Sequence, residues 1–231
     1  MSQTKSFLFA GASSAIARKA AEILRNEGYR VIGISRNDCS IDYDEFHVVQ
    51  GYEKNNLPNI EGPLAGIVYF PGTITLKPFA RISSDEFMQD MSVNAFGAVY
   101  FIQQYLNQLK LSDEGSIVLF STVAVKTGMP FHSSVALAKG AIEGLIPALA
   151  AELAPKIRVN AIAPSLTNSS LSERFLNTTE KQAAAQQRNP MKKIGTPEEL
   201  ANAVCFLLTS RSSWITGQIF AVDGGMSNLK L

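Results

Sequence analysis

Residues Ala10-Gly-Ala-Ser-Ser-Ala-Ile-Ala17 join the end of an apolar run to the start of a helical pattern. One glycine, two hydroxyls and a helix start make a cradle for an anion, because the free N–H groups of a first turn and the helix dipole both favour negative charge. Gly11, Ser13, Ser14 and Ile16 are the candidate contacts. The usual dinucleotide fingerprint carries more glycines; here Ala15 and Ala17 stand in their places. A methyl group at either position narrows the approach of a pyrophosphate or the packing of helix on strand, and a plain βα turn would look similar. A second candidate lies at the end of the next apolar run. An acid there, about 20 residues beyond the glycines, would bind the ribose of NAD. Ser35-Arg36 stands there instead. A guanidinium grips phosphate through paired hydrogen bonds, so the position points to NADP(H) over NAD(H), with Ser13 adding a hydroxyl. The alternative for Arg36 is an exposed charge. Asp38, Asp42 and Asp44 follow and are expected to face solvent.

These groups need a frame. Phe7–Ala10, Val31–Ile34, Phe46–Val49, Gly66–Phe70, Ile117–Phe120, Arg158–Ile162 and Ile219–Val222 read as short strands without polar alternation. Between them lie helical patterns. Ile16, Ala20, Ile23 and Leu24 recur at helical spacing, and Gly28 stops them. Ser84 caps a long helix to about Lys110, with Phe87, Met91, Phe96 and Val99 on its apolar side. Ser133 to Leu153 forms a second long helix, rich in small residues. Thr196-Pro-Glu-Glu199 is a helix start with Thr as cap, Pro at the first position and Glu at the third. Apolar strands separated by helices mean a parallel sheet covered on both faces. The expected fold is therefore α/β: one doubly wound, Rossmann-type domain over residues 1–231, with about seven strands. Its ligands bind beyond the carboxyl ends of the strands. Between Arg36 and Gly66 the breakers Gly51, Pro58 and Gly62 leave a third helix missing or one turn long. Residues 165–195 are polar and irregular, which suits a substrate loop or lid, or a surface excursion.

Composition narrows the field. With 231 residues, 46% of them hydrophobic and 18% charged, the chain can bury a large core and is not disordered. A formal charge of +1 argues against nucleic acid as a partner. Cys39 and Cys205 lie far apart, as in a reduced, cytoplasmic chain rather than a disulfide scaffold. No apolar run reaches the roughly 18 residues of a membrane span, and Met1 to Ala10 lacks the regions of a signal peptide.

In order and spacing, further motifs join these. Tyr69-Phe70-Pro71-Gly72 ends the fourth strand, Ser92-Val-Asn94-Ala-Phe-Gly97 lies in the first long helix, and Gly115-Ser-Ile-Val-Leu-Phe-Ser-Thr122 is a strand. Asn160-Ala-Ile-Ala-Pro164-Ser165 precedes the polar segment, and Trp214-Ile-Thr-Gly-Gln-Ile-Phe-Ala-Val-Asp-Gly-Gly225 closes the chain. Together with Ala10-Gly11…Ala15-Ile16-Ala17, they resemble the short-chain dehydrogenases/reductases over nearly the whole length. The resemblance implies a nicotinamide cofactor along Pro71, Gly72, Asn94, Lys139, Pro164, Ser165 and Thr167, besides the residues above. It also implies a catalytic unit of a serine followed by Tyr-x-x-x-Lys. The serine position falls on Thr122, which keeps a hydroxyl, with Ser121 beside it. The lysine is Lys139, and Asn94 is present. The tyrosine position holds Val135, which cannot transfer a proton. Enoyl reductases of this family place the tyrosine seven residues before the lysine, where this chain has His132. An imidazole can donate a proton near neutral pH; the alternative is a loop histidine that shapes the pocket wall. The resemblance therefore implies an NADP(H)-dependent oxidoreductase acting on a small carbonyl, alcohol or polarised double bond. The alternatives are a nucleotide-binding sensor or partner subunit that has lost catalysis, and a structural subunit that binds no cofactor, against which Lys139, Asn94 and Asp223-Gly-Gly225 argue. Subunits of the family pair through the two long helices, so a homodimer or homotetramer is expected, with Ala136, Ala138, Gly140, Ala141 and Gly144 allowing close approach.

Overall fold

The apolar runs form strands β1 (Ser6–Ala10), β2 (Arg30–Ser35), β3 (Glu45–Val48), β4 (Gly66–Tyr69), β5 (Gly115–Phe120), β6 (Ile157–Pro164) and β7 (Ile219–Val222). The helices are α1 (Ala15–Asn26), α2 (Ser84–Met91), α3 (Gly97–Lys110), α4 (Ala124–Thr127), α5 (Ser133–Leu153), α6 (Glu173–Leu176), α7 (Thr179–Arg188) and α8 (Pro197–Leu208). These come from a computed structural model that describes residues 4–229. The strands make one sheet in the order β3-β2-β1-β4-β5-β6-β7. Each neighbouring pair is parallel, as the unbroken apolar runs require. The chain leaves β1 for one edge and returns at β4 to build toward the other. That reversal opens a crevice beyond Ala10 and Tyr69.

Each face of the sheet is sealed by a helix pair. Leu24 of α1 and Val204 of α8 meet Phe9 and Val68 on one face. Phe101 of α3 and Ile146 of α5 meet Leu8 and Ile67 on the other. Each such side chain contributes roughly 1.5–3 kcal/mol by leaving water. Ser14 caps α1 by accepting from the Ala17 N–H at 3.1 Å, and Gly28 ends it with φ +86°. The capping box at α8 is formed as its sequence requires: Thr196 accepts from the Glu199 N–H, and Glu199 accepts from the Thr196 N–H.

Several expectations are corrected. The long helix before Lys110 starts one residue earlier, on a capping box between Ser83 and Glu86, and is interrupted. Residues Ser92–Phe96 form a π turn in which the Gly97 N–H reaches Ser92 O. That wider turn rotates everything after it about the helix axis. From there on Phe96 is exposed and Val99 only half-buried, while Ala95, Ala98, Phe101, Ile102, Tyr105 and Leu109 face the core; Phe87 and Met91, before the turn, are half-buried as well. Residues 165–195 are not irregular throughout, because they fold into α6 and α7, the second capped by Thr178. Asp42 and Asp44 do not simply face solvent: they pair with Arg18 (2.6 Å) and Arg25 (3.1 Å) of α1. Among the described residues, α5 is long and apolar enough, by length and composition, to cross a membrane. A search for uninterrupted apolar runs misses it because serines, glycines and Lys139 punctuate it. Here its buried face, including Ala138, Ile142 and Ile146, belongs to the core of the fold. The segment between β2 and β4 carries only short turns at Ser40–Asp42 and Lys54–Asn56 besides β3, so the third helix is absent as expected.

Candidate active site

A cleft of about 1120 Å³ opens at the crevice, and every site residue nominated from the sequence lines it. At one end is the turn after β1. Gly11 has φ +72°, and a Cβ there would come 2.9 Å from the Pro71 ring, so a side chain is excluded by conformation and by space. The Tyr43 hydroxyl donates to Ala12 O at 2.7 Å and holds the turn from below. Ser35 donates to Ser13 at 2.8 Å, tying the end of β2 to the same turn. Ser14 is engaged as the α1 cap, and Ile16 is half-buried in the first turn. Arg36 stands exposed beyond Ser35, its guanidinium without a partner among the described residues. Tyr52 completes this end and was not nominated. It packs edge-on to Tyr69, with ring centres 5.7 Å apart. Burial raises the pKa of its phenol, against the pull of Ser35 and Arg36.

The middle of the cleft is organised around Lys139. The residue is 7% exposed and makes no hydrogen bond or ion pair among the described residues. Burial pushes its ammonium down to about 8, with the Asp90 carboxylate pulling the other way. A Cβ on Gly72 would lie 3.7 Å from Lys139 Nζ and 3.1 Å from Asn94 Oδ1, so the missing side chain leaves room beside both. The π turn carries Asn94 inward. Its Nδ2 donates to Asp90 O and to Thr73 Oγ1, each at 2.9 Å, and its Oδ1 accepts from the Thr73 N–H at 3.2 Å. Thr73 in turn donates to Asp90 Oδ1 at 2.5 Å. Asn94 therefore fixes the Pro71–Thr73 loop against Lys139. Asp90 and Thr73 were missed by sequence reasoning. The available signal was a carboxylate one helical turn before Asn94, a place where an apolar face was expected.

Beyond Lys139 lie the groups that would meet a substrate. Val135, one turn earlier on α5, is buried and lines the cleft. Two neighbouring hydroxyls end β5. Ser121 is turned onto α5 and donates to Glu143 at 2.7 Å. Thr122 only accepts, from the Ala124 N–H at 3.3 Å, so its proton is available to a carbonyl. α5 begins at Ser133, and His132 sits just before it on the cleft wall. His132 Nδ1 lies 2.7 Å from Pro130 O. A carbonyl only accepts, so Nδ1–H is the donor and Nε2 is left for other partners. The preceding Phe131 has φ +69°, a strained conformation for an aromatic residue, and its carbonyl accepts from the Lys77 N–H at 3.2 Å.

The 165–195 segment covers this region and is tied down at several points. Thr167 bridges Gly195. The Ser165 hydroxyl and Asn189 Nδ2 both donate to Asp223 O, at 3.1 and 2.8 Å. The Arg174 guanidinium donates to Ile74 O, in the loop after β4. Burial works against the Asp223 carboxylate, but the N–H groups of Ser227 and Gly225, both at 2.8 Å, hold its pKa below the ordinary value. The closing Asp-Gly-Gly motif is thus the anchor of the covering segment.

Fold and cleft define a doubly wound α/β chain with a cleft at its switch point, the place where such folds bind ligands. Residues 56–227 match the family model described as enoyl-(acyl carrier protein) reductase. A tropinone reductase homolog of Arabidopsis thaliana is 36% identical over 168 residues, 72% of this chain and 55% of that protein. The 2-(S)-hydroxypropyl-CoM dehydrogenase 3 of Xanthobacter autotrophicus is 33% identical over 72% of this chain and 67% of its own length. Ligand-free aldohexose dehydrogenase of Thermoplasma acidophilum superposes with a TM-score of 0.91 at 27% identity, covering 99% of this chain and 96% of that one. The chain spans 52–64% of the length of the tropinone reductase homologs it matches. It belongs to the short-chain dehydrogenase/reductase family.

Proposed function

We propose that this chain is an NADP(H)-dependent oxidoreductase that moves hydride between the nicotinamide and a carbonyl, an alcohol or a polarised carbon–carbon double bond. The observation that carries the reading is the meeting of the Gly11 turn, Lys139 and Thr122 in one cleft beyond the strand ends. The cleft fits such a cofactor: the Gly11–Pro71 approach leaves no side chain in the way, and the start of α1 offers N–H groups to a pyrophosphate. Arg36 would hold the additional phosphate, and Lys139 with Pro164, Ser165 and Thr167 would hold the nicotinamide half. The cofactor, when bound, supplies or accepts the hydride. Thr122 then orients the reacting oxygen through its free proton. Val135 excludes the family's tyrosine mechanism, and His132, as the doubly protonated imidazolium, supplies the proton from Nε2 while Nδ1–H stays on the Pro130 carbonyl. The covering segment keeps water away. Subunits would pair through α3 and α5, beside which exposed Phe96, at the end of the π turn, stacks on half-buried Tyr100 of α3 with centres 6.4 Å apart. The two free thiols support a reducing, cytoplasmic setting, and we expect no nucleic acid or membrane partner.

The test is oxidation of NADPH by the purified protein over a panel of ketones, aldehydes and enoyl thioesters. Turnover of one class supports the reading. NADPH binding without turnover across the panel favours the nucleotide-binding sensor or partner subunit instead.

A further inference from the structure

The covering segment has an uneven charge distribution. Arg174, Lys181, Arg188 and Lys193 all line the cleft from it, and no carboxylate of that segment does; among the described residues the only acidic one lining the cleft is Glu53, which comes before β4. Lys193 is neutralised by Glu199. The other three cations meet no carboxylate among the described residues. Arg174 bonds the Ile74 carbonyl, Lys181 bonds Arg174 O (3.3 Å) and Asn177 Oδ1 (2.8 Å), and the Arg188 guanidinium has no hydrogen-bond partner among the described residues. α7 contributes Lys181, Ala184, Ala185 and Arg188 to the cleft. That spacing is a single helical face, with two methyl-sized residues between two cations. The helix buries none of its residues, so these charges are not there to hold a core. Uncompensated cations facing a partly enclosed cleft concentrate anions.

Resting on the oxidoreductase reading, we infer that the substrate carries an anionic group, a carboxylate or a phosphate, which α7 receives through Arg188 and Lys181 while the reacting carbon faces Thr122. A charged hydrogen bond of this kind discriminates by about ten- to hundredfold.

Calorimetric titration of protein saturated with NADP⁺, which has no hydride to give an aldehyde, tests this with matched probes: 4-formylbenzoate against its methyl ester, and glyceraldehyde 3-phosphate against glyceraldehyde. The anion of at least one pair binds tenfold or more tighter than its neutral partner, and which pair does so separates carboxylate from phosphate. Arg188→Ala removes that preference and leaves NADPH affinity within twofold; Arg188→Glu reverses it. Equal binding within both pairs, or no binding of either anion, overturns the inference. So does an Arg188→Ala variant that loses NADPH affinity, because the cations would then serve the cofactor. If NADPH itself does not bind, the oxidoreductase reading falls, and the same titrations on the unloaded protein still decide the lid.

Discussion

At the Gly11 end of the cleft the backbone is held from several sides. The turn has a positive φ and a proline ring against its Cα. A serine pair and a tyrosine fix its flanks. At the α7 end the covering helix has no buried residue and is attached through a few bonds at its margins. Between them, Lys139 sits buried and unpaired next to a valine where the family has a tyrosine. Cofactor binding tolerates little backbone variation, so the first end is built from constraints. The catalytic position departs from the family's pattern at a single side chain, Val135, on a frame that is otherwise kept.

The sharpest way to break this contrast is at His132. His132→Ala is expected to lower turnover about 10²–10⁴-fold, the usual worth of general acid catalysis, and to leave NADPH binding nearly unchanged. Single-turnover rates and fluorescence titration of the same preparation measure both. Full activity in the variant would move the donor to water held at Lys139.

Lys139 predicts an effect on stability. Its folded pKa of about 8 lies below the unfolded value of 10.5. Above pH 8 the folded chain releases this proton first, so the unfolded state binds more protons and stability rises up to the unfolded pKa. Urea unfolding of the unaltered protein should gain roughly 2–3 kcal/mol from this group between those limits. Lys139→Met should lack that slope and be the more stable of the two near pH 7, while losing catalysis. Identical pH profiles for the two proteins would place Lys139 in water.

Arg36→Ala tests the constrained end. It should weaken NADPH about ten- to hundredfold and leave NADH unchanged, as read by parallel titrations. A smaller effect is expected from Val135→Tyr. The side chain faces the cleft, so a phenol there regains the family register before Lys139. In a His132→Ala background it should recover about tenfold of the lost turnover, within the range of one positioned acid. No recovery would mean that the cleft is no longer shaped for that donor.

Much of the frame was legible in the sequence. The seven apolar runs pair as parallel strands, the five inner ones buried and the edge strands β3 and β7 only half-buried, and caps such as Thr196-Pro-Glu-Glu199 mark a helix start locally. The apolar side of the first long helix was misjudged from Phe96 onward, because a five-residue π turn at Ser92–Phe96 shifts the phase and no propensity marks it. The contacts of Asn94 with Thr73 and Asp90 join residues distant in sequence, so only the fold reveals them. The cations of α7 were visible as letters. That they share one face toward the cleft depends on α7 existing, and a polar Ala/Gln-rich stretch gives little apolar periodicity from which to infer a helix. Val135 and His132 were found by counting from Lys139, Val135 four residues back on α5 and His132 seven back, just before the helix begins.

The most direct measurement is a fluorescence titration of the unaltered protein with NADPH and, separately, NADH. The account predicts saturable binding of both at one site, with NADPH at least tenfold tighter, the advantage of a charged contact at Arg36. Equal affinities, or no binding of either nucleotide, would contradict it.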